Sequence, residues 1–420
     1  MQRYIDILFY IVLCLVAGIG IFLHSSYTDK YFPLATNALE QEPIYEVYQQ
    51  DLRDKLHNIY ALSAETIGNH TYLITFFDTP LMQSSLTGHN LYGLLFSPSE
   101  YSLATHNSQV WSDAKILATQ DFLLQQTKQY INGISRPIIY QNNNQLFLFL
   151  NTQGKFAALS NKIRVFSTSI NDLHDVFRSD AKTNIPFKFI KNISFSGFGN
   201  FNHFLSDTLL PIYDTMSPVH ASQDSLDSQT RSAFILSFIL QLKTHVPIFA
   251  LLDSNLKLQE KLVIDTSLEQ PTITQLPVRK ELFSLDKQTK TYSCIAAYIH
   301  NSKRLYFQTC ELHNGTLQMD SLQESLNIDN VTSIELATIG EFVLLLYTQN
   351  NTTLNLALWN GTDFSPIQQI AYSNKQPIVS KLLADGDKGY IFYVNEKAIL
   401  QAIMFNESYL TQFTSQEDKD

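Results

Sequence analysis

Tyr213 and Asp214 stand side by side at the end of the run HFLSDTLLPIYD. A phenol next to a carboxylate is a pairing from which a nucleophile and a general acid can be built. After Leu209-Leu210-Pro211 such a pair is more often an ordinary polar turn. Two arginines sit where strands begin, Arg136 before PIIYQNN and Arg231 before SAFILSF. A guanidinium there could clamp a carboxylate bidentately or simply be solvated. His203 and His300 could line the same site, although a lone histidine is more often structural. The 11 histidines are scattered, with no H-E-x-x-H and no C-x-x-C, so no metal is expected. Glycine-rich phosphate loops and G-x-S-x-G are also missing, and no cofactor is expected. A net charge of −10 without a basic stripe excludes nonspecific nucleic-acid binding.

Two cysteines frame CIAAYIHNSKRLYFQTC. A turn at Asn301-Ser302-Lys303 centres this hairpin on Ser302 and sets Cys294 directly opposite Cys310. Opposed Cβ atoms lie about 4.5–5.5 Å apart, close to disulfide reach. The pair is a disulfide candidate; two buried free thiols are the other reading.

The elements that must position these groups are strands. Apolar runs recur between Asn, Asp and Gly turns: Thr71–Phe77, Leu91–Phe96, Leu146–Leu150, Ile163–Ser167 and Thr208–Tyr213. They continue at Val246–Leu252, Cys294–Ile299, Arg304–Cys310, Phe342–Tyr347, Leu354–Trp359, Gly389–Val394 and Ala398–Phe405. None has helical period, which indicates antiparallel β structure. Ser232–Leu242 is continuously apolar and reads as a strand through its β-branched and aromatic content. The stretch Ala118–Ile131 is helix-like and reads as a loop insertion.

The order of these features resembles the sialidase-like β-propeller family with Asp-box (BNR) repeats. Four segments are similar to degenerate Asp boxes: THNSQVWSD with Trp111, STSINDLHDVF with Ser169, Asp172 and Phe177, ELHNGTLQM with Asn314-Gly315, and ALWNGTDFSP with Asn360-Gly361 and Phe364. SRPIIYQNNNQLFLFL, GNFNHFLSDTLLPIYD and EQPTITQL resemble further family segments in the same order. The resemblance implies an all-β, six-bladed β-propeller, in which strand-start positions such as Arg136 and Arg231 face the central mouth. It also implies a glycan as ligand. Active members of that family hold the sugar carboxylate with an arginine triad and use a Tyr/Glu nucleophile pair with an Asp acid. No such triad is recognisable among the eight arginines here, and the loop FFDTPLMQSSLTGHN carries Asp78 as its only carboxylate. His300 stands where a cation is expected. The expectation is glycan recognition with eroded catalysis. An active exo-glycosidase with a non-standard site is the alternative, and a protein-interaction scaffold the further one.

Ile7 to Leu23 is apolar apart from Tyr10 and Cys14, and approaches the roughly 20 residues that span hydrocarbon. Arg3 precedes it, which favours an N-inside orientation. Signal-peptide cleavage wants small residues at −3 and −1, and that pattern is poor around Leu23-His24-Ser25-Ser26, so an uncleaved anchor is favoured over a cleaved signal peptide. The expected order is therefore a transmembrane anchor over 1–24, a stalk over 25–50, the propeller over 51–412 and a disordered acidic tail over 413–420. The large domain is expected on the extracytoplasmic side of a membrane, single-pass.

Overall fold

A computed structural model describes residues 45–52, 59–68, 70–78, 90–98, 110–119, 130–131, 136–142, 144–153, 162–179, 186–193, 203–213, 231–241, 245–253, 256–277, 291–313, 316–374, 377–395 and 399–417. The proposed anchor lies outside these. Among the described residues no helix is long and apolar enough to cross a membrane.

The strands form six antiparallel sheets. The first described strand, β1 (Tyr45–Asp51), belongs to the last blade. Blade 1 holds β2 (Ile59–Gly68), β3 (Thr71–Asp78), β4 (Asn90–Phe96) and β5 (Lys115–Ala118). Blade 2 adds the short β6 (Tyr130–Ile131) to β7 (Ile138–Asn142), β8 (Gln145–Gln153), β9 (Lys162–Ser169) and β10 (Lys188–Ile193). Blade 3 holds β11 (His203–Tyr213), β12 (Arg231–Gln241), β13 (His245–Asp253) and β14 (Leu258–Val263). Blade 4 holds β15 (Leu268–Gln275), β16 (Thr291–His300), β17 (Leu305–His313) and β18 (Thr316–Met319), with β19 (Gln323–Glu324) also on β17. Blade 5 holds β20 (Val331–Ile339), β21 (Phe342–Gln349), β22 (Thr353–Trp359) and β23 (Phe364–Tyr372). Blade 6 holds β24 (Val379–Asp385), β25 (Lys388–Val394) and β26 (Ile399–Asn406), and β1 completes it as outermost strand, from Tyr45↔Phe405 to Asp51↔Ile399.

The first strands touch in sequence, β2 to β7, β11, β15, β20 and β24, and β24 returns to β2. They line a closed ring. Six apolar clusters fill the six gaps between blades. The gap between blades 6 and 1 holds Tyr72, Phe96, Trp111, Tyr390 and Phe392. Strands in the middle of a blade are covered on both faces by neighbouring blades, so they read as unbroken apolar runs: Val343 to Thr348 of β21 are all buried. Outer strands have one wet face and alternate, as LQEKLV does in β14.

Packing leaves little room at the seam between blades 5 and 6. A Cβ on Gly389 would run into the Phe405 ring and meet Ile339 Cδ1 at 2.5 Å, so a larger residue there must displace both side chains. In the gap between blades 3 and 4, Cys294 lies opposite Cys310 in register, with Cα atoms 4.9 Å apart, and the two form a disulfide.

All four Asp-box-like segments fall between the third and fourth strands of a blade, in blades 1, 2, 4 and 5. Their local structures differ. In blade 5, Asn360 Oδ1 accepts from the Thr362 and Asp363 amides, both at 2.9 Å, and Phe364 plugs the core against Phe307 and Trp359. In blade 1, Trp111 is buried against Phe96, ring centroids 4.4 Å apart. In blade 2 the segment is not a turn but a helix, α1 (Ile170–Arg178). Ser169 caps it by accepting from the Asp172 amide, and Ile170, Leu173 and Val176 form its buried stripe. Asn314-Gly315 lies outside the described residues. In blade 3 the turn between the third and fourth strands is held by the Asp253 carboxylate, which accepts from the Lys257 amide at 2.9 Å.

Two boundaries differ from the sequence reading. The propeller starts at Tyr45, inside the segment read as stalk, because the closing strand comes from there. The C-terminus continues as helix α2 (Glu407–Glu417), into the stretch read as tail. Leu410 of α2 is fully buried, and Phe413 packs on Tyr409. The helix-like stretch Ala118–Ile131 begins at the end of β5 and ends in β6; residues 120–129 lie outside the described set.

Candidate functional site at the propeller axis

Four antiparallel strands return the chain to the face where it entered a blade. Every first strand therefore begins on one face, here called upper, and every second strand ends there. Arg136 leads into β7, His203 opens β11 and His300 ends β16, so all three stand at the upper face. Tyr213 ends β11 and pairs in register with Arg231 at the start of β12. Those two are at the lower face, and Asp214 lies outside the described residues. The 11 residues of β11 separate the two ends by roughly 35 Å. Tyr213 and Arg231 therefore cannot share one sugar ring with Arg136, His203 and His300.

Arg136 makes the defining contact. Its Nη1 lies 2.6 Å from Oε1 of Glu335 in β20, and its Nη2 donates to the Ser380 carbonyl of β24 at 3.2 Å. Blades 2 and 5 are opposite each other in a ring of six. A contact between them can only be made across the axis, so this guanidinium sits at the centre of the propeller. Lys381 of β24 approaches Glu335 Oε2 at 3.2 Å, and the Leu382 amide donates to the same oxygen at 2.9 Å. The Glu335 side chain is 4% exposed, while Arg136 and Lys381 retain 20% and 16%. Glu335 is the only buried carboxylate among the described residues. Burying it without partners would be very unfavourable; two cations and an amide make it tolerable. The cluster carries a net charge of +1 on the axis and presents cation to solvent, with the anion beneath.

Two other acids of the first strands are committed elsewhere. Glu65 of β2 accepts from the Gln141 amide of blade 2 at 3.3 Å. Asp385, at the lower end of β24, accepts from the Tyr72 hydroxyl at 2.7 Å, and Tyr72 in turn lies 2.7 Å from the Tyr390 hydroxyl. A phenol on a carboxylate has the composition of a nucleophile pair. Tyr72 is fully buried, however, and burial first, then the Tyr390 hydroxyl and Asp385, push its pKa far up. It pins blade 1 to blade 6 and cannot supply a phenolate. Among the described residues no group of three or more His, Cys, Asp or Glu side chains is placed to hold a metal ion.

Glu335 and Lys381 did not stand out in the sequence. The signal was there in weak form: a single carboxylate inside SIELATI and a single ammonium inside VSKLLA. Their partner Arg136 was legible only as a strand-start arginine, and Ser380 lies 244 residues away from it.

The architecture is that of a sialidase-like six-bladed β-propeller, of divergent sequence. No protein-family model matches the chain, and no curated protein matches it. Among solved structures, the fold is similar to Trypanosoma rangeli sialidase in complex with the inhibitor DANA, with a TM-score of 0.51 and 11% identity. That match covers 89% of this chain and 62% of the sialidase chain, so this chain spans about three fifths of its relative's length. Penicillium chrysogenum α-L-arabinanase complexed with arabinobiose is also similar, at a TM-score of 0.47 and 12% identity over 87% of this chain and 99% of that one. At such identities the likeness is one of fold.

Proposed function

We propose that this chain is a membrane-anchored, extracytoplasmic propeller that recognises glycans at its upper central mouth without hydrolysing them. The observation that carries the reading is the axial cluster of Arg136, Glu335 and Lys381. It holds a guanidinium and an ammonium in fixed positions where six first strands converge, and partly exposed cations so placed can take polar ligand groups. Glycoside hydrolysis requires two carboxyl groups that reach the sugar. Glu335 is too buried to touch one, Glu65 is bonded to the neighbouring blade and Asp385 faces the wrong end, while Glu269 of β15 is a single carboxylate near the upper face. That distribution supports binding over catalysis. The sialidase of similar fold was solved with an inhibitor bound, which supports a sugar as the ligand class here. The apolar segment Ile7–Leu23 supports the anchor.

The test uses the full chain in a detergent without sugar headgroups. Array binding of acidic glycans should be lost in Lys381→Met and Arg136→Ala variants that keep the wild-type far-ultraviolet spectrum, and an aryl sialoside should release no fluorophore. Turnover abolished by Arg136→Ala would instead establish an active exo-glycosidase. Protease added to intact cells should digest the propeller; protection of it would refute the extracytoplasmic placement.

A further inference from the structure

We infer that the upper rim of blade 4 carries a second, preformed subsite for a neutral saccharide, built from His300, Arg304, Tyr306 and Glu324; it rests on the reading of the propeller as a glycan-binding protein. The β16–β17 hairpin presents the first three. Its tip is pinned on both sides: the Asn301 amide donates to the Ser267 carbonyl at 3.0 Å, and the Lys303 carbonyl accepts from the Val331 amide at 2.8 Å. Lys303 itself turns the chain with a φ of 62°.

Each polar tip at this rim has a fixed orientation. The Ser302 amide donates to His300 Nδ1 at 3.1 Å, and the Ser302 hydroxyl lies 2.7 Å from the same nitrogen. A backbone N–H can only donate, so Nδ1 accepts and the neutral ring carries its proton on Nε2. The imidazole lies against Tyr306, ring centroids 5.2 Å apart. The Tyr306 hydroxyl donates to Glu324 Oε2 at 2.6 Å, and Arg304 Nη1 donates to Glu324 Oε1. Glu324 arrives on β19, a two-residue strand beyond the four of the blade, whose register sets it opposite Tyr306.

Stability does not account for this arrangement. Arg304 and Glu324 are 58% and 32% exposed, and ion pairs so open to water contribute little. What the rim gains is preorganisation: four side chains held in place before a ligand arrives, which lowers the entropy lost on binding. The groups fit a hydroxylated ring. Guanidinium N–H groups and the imidazole Nε2–H donate to hydroxyl oxygens, the Glu324 carboxylate accepts from hydroxyls, and the His300–Tyr306 surface can lie along the C–H edge of a pyranose. Arg304 and Glu324 cancel in charge, so a neutral glycoside is favoured over an acidic one. This is a different preference from the cationic axis, and the two sites share the upper face.

The experiment is saturation-transfer NMR and calorimetry on the full chain in a detergent without sugar headgroups. The probes are the methyl glycosides of glucose, galactose and mannose, with methyl glucuronide as the charged comparator. At least one neutral glycoside should bind, and its affinity should fall about tenfold or more in Glu324→Gln and in Tyr306→Ala. It should be unchanged in Arg136→Ala. Arg304→Met, at an exposed position, provides a third variant should Tyr306→Ala fail to fold. The inference is overturned if no neutral glycoside binds, if only the glucuronide binds, or if Glu324→Gln and Arg304→Met leave affinity intact. Binding lost in Arg136→Ala but retained in the blade 4 variants removes the rim subsite and leaves the axial reading standing. The reverse pattern supports the rim subsite whatever the axis does.

Discussion

The contact across the axis should be a measurable energetic link between opposite blades. Arg136→Ala leaves Glu335, 4% exposed, with Lys381 at 3.2 Å and the Leu382 amide at 2.9 Å. Removing one partner of a buried ion pair costs about 3–5 kcal/mol when the other charge is stranded. Here a second cation and an amide remain and Arg136 has some access to water, so a loss of about 2 kcal/mol is expected. Glu335→Ala leaves two cations that can recruit water, at about 1–2 kcal/mol. The double variant should lose less than the sum, with a coupling of about 1–2 kcal/mol. The assay is urea unfolding followed by the fluorescence of the chain's two tryptophans, Trp111 in blade 1 and Trp359 in blade 5. Salt provides the decisive control. The Debye length falls to about 3 Å at 1 M salt, which screens exposed charges and leaves buried ones nearly untouched. The Arg136–Glu335 coupling should therefore persist from 0.1 to 1 M salt, roughly as stated. Coupling between the exposed Arg304 and Glu324 should fade over the same range. An axial coupling below about 0.5 kcal/mol, or one that salt abolishes, refutes the buried axial clamp.

Three further outcomes follow from the packing and the ionisations. Gly389→Ala drives a methyl into Phe405 and Ile339, and the unfolding free energy should drop by about 1–3 kcal/mol; an unchanged urea midpoint contradicts the packing at this seam. Deleting residues 45–51 strips the strand that covers β26, so the variant should self-associate through that bare edge in size-exclusion chromatography, and a monomer of wild-type stability would show that β1 does not close the ring. Burial pushes Tyr347 and Tyr393 up to about 12 from 10.0, with Asp329 also raising Tyr347. The neutral phenols are favoured in the folded state, so their stabilising effect is complete below pH 10 and lost as pH rises through about 12. Urea midpoints should hold up to pH 10 and then decline as absorbance near 295 nm reports tyrosinate; midpoints constant across that window count against the burial.

What the sequence revealed depended on where a strand sits in its blade. The second and third strands of all six blades stood out as apolar runs, from Thr71–Phe77 and Leu91–Phe96 in blade 1 to Gly389–Val394 and Ala398–Phe405 in blade 6. These strands have hydrogen-bonded neighbours on both edges and another blade against each face, so nearly every side chain must be apolar. Outer strands are half wet, and KFIKNI or LQEKLV looks like any amphipathic fragment. First strands mix apolar residues that fill the gaps with polar ones near the axis, as in VTSIELATI, and apart from Thr208–Tyr213 of β11 they do not stand out as apolar runs. The candidate site lies on those strands, which is why it was less legible than the fold. Arg136 drew notice as an arginine at a strand start, but nothing local to Glu335 indicated that its partner would come from the opposite blade. The cysteine hairpin is the converse case. Its register is set by a turn three residues long, so the opposition of Cys294 and Cys310 was contained in one short segment. Pairings within a hairpin are written in spacing; pairings across the axis are written only in the closure of the ring. A single charged residue on a first strand of a propeller therefore calls for a search of every other first strand, because the axis makes all of them neighbours.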